Sequence, residues 1–198
     1  MIIVVQNRKI IFTFIVAICT VILAGCKEGD GEADYGFGYV YMPQASFTGV
    51  DNHYPVPSGN GINTYNFVVS EGKDKLNIIL GVSRSGKITN AGGFSVNVRV
   101  SPAETDEVIV SGEIENAMAL PSGMYQMPDL VTVEAGKNSA SFYLSVDVNQ
   151  LKNNTYDGSN LVLAVEISNP TNNFELAEMN TSVVVVIDVD AIQEFISN

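Results

Sequence analysis

The sequence predicts a mainly β protein, a β-sandwich with one short helix, preceded by a cleaved lipoprotein signal peptide. Short runs of β-branched and aromatic residues recur along the chain and are separated by turn residues. Several runs alternate apolar and polar side chains, as antiparallel strands do when one face of the sheet is buried. The first 25 residues differ in composition from the rest, which is typical of an export signal.

The export signal is predicted for residues 1–25. Arg8 and Lys9 precede an apolar run over residues 10–23, and Leu-Ala-Gly stands directly before Cys26. A basic segment, a short apolar segment and small residues at a cleavage point are typical of a signal peptide. The run is shorter than the ~18 residues expected of a membrane span. Cysteine after Leu-Ala-Gly resembles a bacterial lipobox, so we expect lipid on Cys26. A retained signal anchor is the alternative.

An acidic tether is predicted for residues 26–34, which have no apolar period. An acidic tract directly after a lipidated cysteine also resembles the surface-export signals of some outer-membrane lipoproteins. We therefore expect an outer-membrane protein that contacts the membrane through the lipid on Cys26 and is exposed at the cell surface. A plain linker on a periplasm-facing anchor is the alternative.

The acidic composition excludes some partners. The chain has 10 Lys and Arg against 22 Asp and Glu, a formal net charge of −12, and loss of the signal peptide removes Arg8 and Lys9. Nucleic-acid binding needs basic side chains, so no nucleic-acid partner is expected. Cys19 lies in the signal peptide and Cys26 carries the lipid, so no cysteine pair remains for a disulfide.

About eight strands are predicted in a single sandwich domain over residues 35–190. They cover residues 37–42, 65–69, 76–82, 94–100, 130–134, 141–148, 161–167 and 181–189. The strands at 130–134 and 141–148 are joined by a turn and are predicted to pair as a hairpin. Residues 181–189 are apolar almost throughout, which indicates a central strand buried on both faces. Residues 44–61 are predicted to form a long loop, and residues 191–198 a C-terminal tail.

The single helix is predicted near residues 104–118, with its cap at Ser101. Ser101, Pro102 and Glu104 fit a capping box with proline at the first helical position. The apolar face of this helix is predicted to hold Val110, Ile114, Ala117 and Met118. Leu120-Pro121 is expected to end the helix.

Several structural stretches match a family pattern. They are Tyr39-Val40-Tyr41-Met42-Pro43-Gln44-Ala45, Leu120-Pro121 with Tyr125, Val131-Thr132-Val133 with Gly136, and residues 142–147 with Leu151. Over roughly residues 35–190 the chain resembles a domain of unknown function found at the N-terminus of many outer-membrane lipoproteins of glycan-utilisation systems. Some of those relatives are fused to endo-β-N-acetylglucosaminidase or to sugar-binding domains. The resemblance implies an immunoglobulin-like sandwich and supplies no catalytic residues.

The chain departs from this pattern at Tyr156. Residues 157–160 intervene before the next predicted strand, where the family leads almost at once from tyrosine into the strand. The chain also stops where relatives often continue into a second domain, so an activity carried by that domain is not expected here.

The sequence offers no set of residues typical of catalysis, of a metal site or of a cofactor. His53 is the single histidine and has no cysteine partner for a zinc site or a catalytic dyad. The acids weighed as glycosidase pairs or calcium ligands are Glu104, Asp106, Glu107, Asp147, Asp188 and Asp190. The first three are expected to favour the helix dipole, and the others lack a calcium-loop pattern. We therefore expect no enzyme, no metal and no cofactor.

The candidate glycan contacts are Tyr54 and Tyr156, with His53 beside the first. Both tyrosines stand in predicted polar loops, where an exposed ring can stack on a sugar. Other aromatic residues are assigned to the core: Tyr39, Tyr41, Tyr65, Phe67 and Phe142.

The sequence thus predicts a non-catalytic surface lipoprotein that assists glycan capture or a glycan-uptake complex. Its expected partner is a polysaccharide or an outer-membrane transport complex. The alternative is a structural or adhesive module that binds protein by adding a strand at a sheet edge.

Replacing Cys26 with serine should give a product without lipid, either uncleaved or soluble, because the acylated thiol is removed. Mass spectrometry of the N-terminal peptide and membrane fractionation measure this outcome. Wild-type protein that carries no lipid on Cys26 and fractionates as soluble periplasmic protein would contradict the prediction.

Overall fold

The computed structural model describes residues 38–61, 64–86 and 92–197, which form two β-sheets and three short α-helices. The strands are β1 (Tyr39–Tyr41), β2 (His53–Val56), β3 (Phe67–Val69), β4 (Lys75–Arg84), β5 (Phe94–Val100), β6 (Ala117–Ala119), β7 (Tyr125–Gln126), β8 (Leu130–Val133), β9 (Ser139–Asp147), β10 (Asn160–Ser168), β11 (Glu175–Leu176) and β12 (Ser182–Asp188). The helices are α1 (Pro102–Ser111), α2 (Val148–Leu151) and α3 (Val189–Ser197). The predicted signal peptide and tether, with Cys26, lie outside the described residues.

Two six-stranded sheets carry the fold. The first sheet has the order β11-β1-β4-β9-β7, with β3 also paired to β4, and the second has the order β2-β12-β10-β5-β8, with β6 also paired to β10. Most neighbours are antiparallel, whereas β11 beside β1, β2 beside β12 and β6 beside β10 are parallel. The predicted mainly β architecture is confirmed. The prediction of a single helix is wrong, because three helices are present in the described ranges.

Alternate residues of the strands fill the space between the sheets. In β5, Phe94, Val96 and Val98 are buried while Asn97 and Arg99 are exposed. The other buried sets include Leu76, Ile78, Leu80 and Val82 of β4, and Phe142, Leu144 and Val146 of β9. Successive strand residues face opposite sides of a sheet, so every second one enters the core. Each such aliphatic side chain stabilises the fold by roughly 1.5–3 kcal/mol relative to exposure.

The last strand, β12, is buried on both faces, as predicted. Val183 and Val185 face the main core, whereas Val184 packs in a separate small cluster with Val162 and Ala164 of β10. Apolar residues of α1 pack against this small cluster. α1 therefore covers part of the outer face of the second sheet, which is why β12 shows no polar alternation.

The predicted hairpin at residues 130–148 is wrong. β8 pairs with β5 in the second sheet, whereas β9 pairs with β4 and β7 in the first. The turn between them, closed by the Lys137 amide donating to the Glu134 carbonyl at 3.0 Å, crosses from one sheet to the other. Both strands bury alternate residues in the same core, so their sequence pattern is the same for a hairpin and for this crossing.

The predicted loop at residues 44–61 contains β2, an edge strand in parallel register with β12, Val184 opposite His53. Its third residue, Pro55, has no backbone N–H to donate, and proline is tolerated at sheet edges for that reason. This strand was not predicted because it is only four residues long and contains a proline. β6, β7 and β11 are shorter still, with two or three residues each, so the described residues contain twelve strands where about eight were expected.

The helix predicted near residues 104–118 ends earlier in the structure. α1 ends at Ser111 because Gly112 adopts the left-handed conformation (φ 70°) that commonly terminates a helix. Residues 117–119 form β6 instead, and Val110, expected on the buried face, is 85% exposed. The Ser101 side chain forms no cap hydrogen bond, so the capping box is also wrong.

The predicted C-terminal tail is helix α3. Ile192 and Ile196 are buried, and the Phe195 ring contacts the Phe67 ring edge-on at 4.9 Å between centroids. At its start Asp188 accepts a hydrogen bond from the Ala191 amide (3.0 Å), and at its end Lys73 Nζ donates to the Ile196 carbonyl (3.1 Å). The i, i+4 spacing of the two isoleucines is the sequence signal of this short helix. Within the described residues no helix is long and apolar enough to cross a bilayer.

Replacing Val98 with aspartate should destabilise the domain by ~3 kcal/mol or more, because an unpaired charge would enter the core between the sheets. Val98 is 3% exposed and lies opposite Ile167 of β10. The matched control is Asn97→Asp, an exposed neighbour, for which a change within about 0.5 kcal/mol is expected. Urea unfolding measures both. Equal effects of the two substitutions would contradict the assignment of Val98 to the core face of β5 and Asn97 to its exposed face.

Candidate functional site

The sequence predicted Tyr54 in an exposed loop. In the structure it lies in β2, with its side chain in the core. It is 4% exposed, its hydroxyl donates to the Ile79 carbonyl of β4 at 3.2 Å, and its ring meets the Phe47 ring edge-on at 5.1 Å. Since β2 belongs to the second sheet and β4 to the first, this side chain spans the space between them. A ring buried in this way offers no face to a sugar, so the predicted exposure of Tyr54 is wrong.

A buried asparagine supports the same end of the sandwich. Asn66 is 7% exposed, and its side-chain Nδ2 donates to the Pro55 carbonyl at 2.7 Å while its Oδ1 accepts from the Ser58 amide at 2.9 Å. The Ile79 amide donates to the Asn66 carbonyl at 2.9 Å. Desolvation by burial raises the pKa of the Tyr54 hydroxyl above its ordinary value of 10.0. Tyr54 and Asn66 are thus structural, and both connect β2 to β4.

The structure does not bring the other two candidate contacts, His53 and Tyr156, together into one stacking site. His53 stands in β2 with Nδ1 3.4 Å from an Asp51 carboxylate oxygen. Tyr156 ends a short 3₁₀ turn, Asn154–Tyr156, and packs half-buried against the core. Among the described residues no ring contact joins Tyr156 to Tyr54. A role of His53 or Tyr156 in glycan binding stays a prediction.

Three of the candidate acids accept hydrogen bonds that cap a helix or hold a loop. Asp147 accepts from the Asn149 amide at the start of α2 (2.8 Å), and Asp190 accepts from the Gly158 amide (2.8 Å). Glu104 accepts from Asn52 Nδ2 and from the Ser182 hydroxyl, both at 2.8 Å. In the part of the chain that the structure describes, no three His, Cys, Asp or Glu side chains cluster closely enough to hold a metal ion.

A cleft beside β1 of the first sheet is a candidate site. We call it the tyrosine cleft. It has a volume of about 430 Å³ and is lined by Tyr39, Tyr41, Ser85, Ala177, Glu178, Met179 and Asn180. That volume is within the range of small-ligand sites, roughly 300–1,000 Å³.

The two tyrosines face the cleft because of the period of β1. Val40 between them is fully buried, so Tyr39 and Tyr41 lie on the outer face of the sheet, where Tyr39 is 38% exposed. The sequence interpretation placed both in the core, and this is wrong for the same reason. The alternation Tyr-Val-Tyr was the signal that could have identified them.

Backbone hydrogen bonds fix both walls of the cleft to β1. The Ala177 amide donates to the Val40 carbonyl (2.9 Å), and the Met42 amide donates to the Asn180 carbonyl (2.7 Å). On the other side the Ser85 amide donates to the Tyr39 carbonyl (2.8 Å). The cleft is therefore held by main-chain contacts and presents two aromatic rings, a hydroxyl, an amide, a carboxylate and a thioether.

A comparison with protein-family models places the domain in a family. The model of a protein family described as a "-like, N-terminal domain" matches residues 35–173, well over half of the chain. No curated protein matches the sequence.

Similar solved structures come mainly from Bacteroides. A Bacteroides ovatus protein named as a candidate carbohydrate-binding protein has a TM-score of 0.49 at 14% identity, and the match covers 75% of this chain and 36% of that one. A two-domain protein of unknown function from Bacteroides fragilis has a TM-score of 0.47 at 15% identity, covering 76% and 45%. A further Bacteroides ovatus protein of unknown function has a TM-score of 0.48 at 13% identity, covering 75% and 46%. The chain thus spans less than half the length of these three proteins.

Replacing Tyr54 with phenylalanine should lower the free energy of unfolding by about 1 kcal/mol near neutral pH, because the hydrogen bond to Ile79 is lost while the ring remains. The pKa of Tyr54 is raised in the folded state, so its contribution is present below pH ~10 and is lost as pH rises through the folded-state value. The wild-type advantage over Tyr54→Phe should therefore shrink above pH ~10.

Denaturant unfolding at neutral and alkaline pH tests this sign. Tyr143→Phe is the control, because Tyr143 is 51% exposed in β9. A wild-type advantage over Tyr54→Phe that is constant or grows with alkaline pH would show that the Tyr54 hydroxyl is not buried as described.

Proposed function

The chain belongs to this family of N-terminal domains, and from that premise we propose that it is a non-catalytic carbohydrate-binding domain of a lipid-anchored surface protein. The tyrosine cleft is its binding site. In the proposed arrangement Cys26 carries the lipid, residues 26–34 form the tether, and the domain assists glycan capture at the outer membrane, alone or within an uptake complex.

The observation that carries the proposal is the composition of the cleft. Tyr39 and Tyr41 line the cleft, and tyrosine rings are surfaces on which the axial C–H groups of a sugar can pack. Ser85, Glu178 and Asn180 line the same volume and supply hydroxyl, carboxylate and amide groups for sugar hydroxyls. Apolar walls with a few convergent polar groups are the usual make-up of a small-ligand site.

The same composition favours binding over hydrolysis. Glycosidases use two carboxyl groups on opposite sides of the scissile bond, at ~5–10 Å from each other. Glu178 is the one carboxylate among the described residues that line the tyrosine cleft. A shallow site with little buried area should bind weakly, roughly in the micromolar to millimolar range, since association costs several kcal/mol. Stacking is not screened as ion pairs are, so binding should persist at high salt.

The second candidate function, strand addition by a protein partner, is favoured by β8. This strand ends the second sheet, and its first residue, Leu130, is 57% exposed. An exposed strand at a sheet edge can pair with another chain. β8 is short, which weakens such pairing, so glycan binding remains the main proposal.

Removing either cleft tyrosine should weaken glycan binding. Tyr39→Ala and Tyr41→Ala are each expected to reduce affinity about five-fold, corresponding to ~1 kcal/mol of lost stacking. Tyr143→Ala, an exposed tyrosine of β9 in the same sheet but away from the cleft lining, should leave affinity unchanged. Isothermal titration calorimetry against host and dietary glycans gives the values.

Two results would contradict the proposal. If no glycan binds while a protein partner co-purifies, strand addition becomes the better function. If a glycan binds equally well to wild type and both cleft variants, the site lies elsewhere, and Tyr156→Ala is the next variant to measure.

A further inference from the structure

A second hollow adjoins the tyrosine cleft. We call it the loop hollow. It has a volume of about 330 Å³ and is lined by residues 45–46 and 49–52 and by Met179 and Asn180, which also line the tyrosine cleft. Because the two hollows share these residues, a ligand that fills the cleft and continues past Met179 enters the loop hollow.

The wall of the loop hollow is held in place before any ligand binds. The Thr48 hydroxyl donates to the Asp51 carboxylate at 2.7 Å and accepts from the Asp51 amide at 3.3 Å. Asn52 Nδ2 donates to Glu104 of α1 at 2.8 Å, and the Val184 amide of β12 donates to the Asn52 carbonyl at 2.9 Å. A wall fixed in this way loses little conformational entropy on binding, which favours its use as part of a site.

The charged side chains that line the two hollows are all negative. Glu178 lines the tyrosine cleft and Asp51 lines the loop hollow, and no Lys or Arg occurs among the described lining residues of either. The Thr48 hydroxyl is the main cause that lowers the pKa of Asp51, so this carboxylate stays ionised. Arg84, the neighbour of Ser85 in sequence, directs its Nε to the Lys137 carbonyl at 3.3 Å. The net charge of −12 adds a field of the same sign.

We propose that the tyrosine cleft and the loop hollow form one site for an uncharged oligosaccharide longer than a single sugar, and that Glu178 and Asp51 reject glycans carrying carboxylate or sulfate groups. The inference rests on the proposed function and extends its site. Sugar hydroxyls can donate to the two carboxylates, which are strong acceptors. A carboxylate or sulfate on the ligand would instead meet a like charge and lose its own hydration.

Matched oligosaccharides test the selectivity. β-1,4-Linked manno- and gluco-hexasaccharides are compared with the mannuronate and glucuronate hexasaccharides of the same linkage, which differ only in the carboxylate at C5. Calorimetry at low salt should show about ten-fold or greater preference for a neutral member, as expected for one or two unscreened like-charge contacts. The ratio of neutral to uronate affinity should decrease at high salt, because salt screens the repulsion between like charges.

Glu178→Gln identifies the group responsible. This variant should raise uronate affinity several-fold and lower the affinity for the neutral member by about two- to three-fold, because an amide oxygen is a weaker acceptor than a carboxylate. Glu107→Gln makes the same change in net charge on α1, outside both hollows, and should leave the preference as in wild type. A preference that shifts equally in both variants would assign the effect to overall charge and overturn the role of Glu178.

Chain length tests the continuity of the two hollows. Affinity for the neutral series should rise by about ten-fold between the disaccharide and the hexasaccharide if the second hollow is occupied. Ser46→Leu, which narrows the loop hollow, should remove this gain and leave disaccharide binding intact. Ser141→Leu, an exposed serine of β9 outside both hollows, is the control.

The outcomes separate this inference from the proposed function. Uronates that bind as tightly as the neutral members, or affinities that do not depend on length, would overturn the inference and leave glycan binding standing. No binding by any neutral or uronate member would overturn both.

Discussion

The two-residue period of an extended strand is the constraint on which both the core and the proposed site depend. A strand that buries one side chain must turn the next one outward. In β1 this places Val40 in the core and sends Tyr39 and Tyr41 to the outer face of the first sheet. The position of both cleft tyrosines is thus a direct consequence of burying Val40 between them. Where the period is broken, as in β12, a helix covers the outward side chains.

The two sheets are connected at one end by polar contacts as well as by apolar packing. The Tyr54 hydroxyl crosses from β2 to the Ile79 carbonyl of β4, and Asn66 ties the chain after β2 to the same strand. Buried polar groups are costly unless they are paired, so these residues have little freedom to change. Their chemistry resembles that of a ligand site, with tyrosine, asparagine and a nearby histidine, yet the Tyr54 hydroxyl and the Asn66 side-chain amide already have partners inside the protein. Burial, which the sequence does not display, separates this structural cluster from the exposed cleft.

Sequence patterns predicted the long strands well and the short or crossing elements poorly. The alternation in β5 gave its bounds to the residue, because one face is core and the other is solvent. The β8–β9 connection was misassigned because a hairpin and a crossing between sheets require the same alternation, and only the pairing partners distinguish them. The predicted helix extends past the end of α1 because the prediction did not treat Gly112 as a helix end. The sequence singles out Tyr39 and Tyr41 as aromatic strand residues, but their prediction as core residues is wrong. The segment 177–180, which completes the cleft, has no sequence signal, because its position depends on its hydrogen bonds to β1.

Those hydrogen bonds also explain how the domain can hold a site without depending on it for stability. The walls of the tyrosine cleft are fixed by main-chain contacts, which almost any side chain would permit. Glu178 and Met179 are exposed, so their replacement removes little buried area. Recognition can therefore change at these positions while the sandwich stays intact, whereas a change at Val98 or Tyr54 acts on the fold itself. This separation arises because the cleft tyrosines stand on the outer face of β1, where the side chains that contact ligand are by geometry not the ones that fill the core.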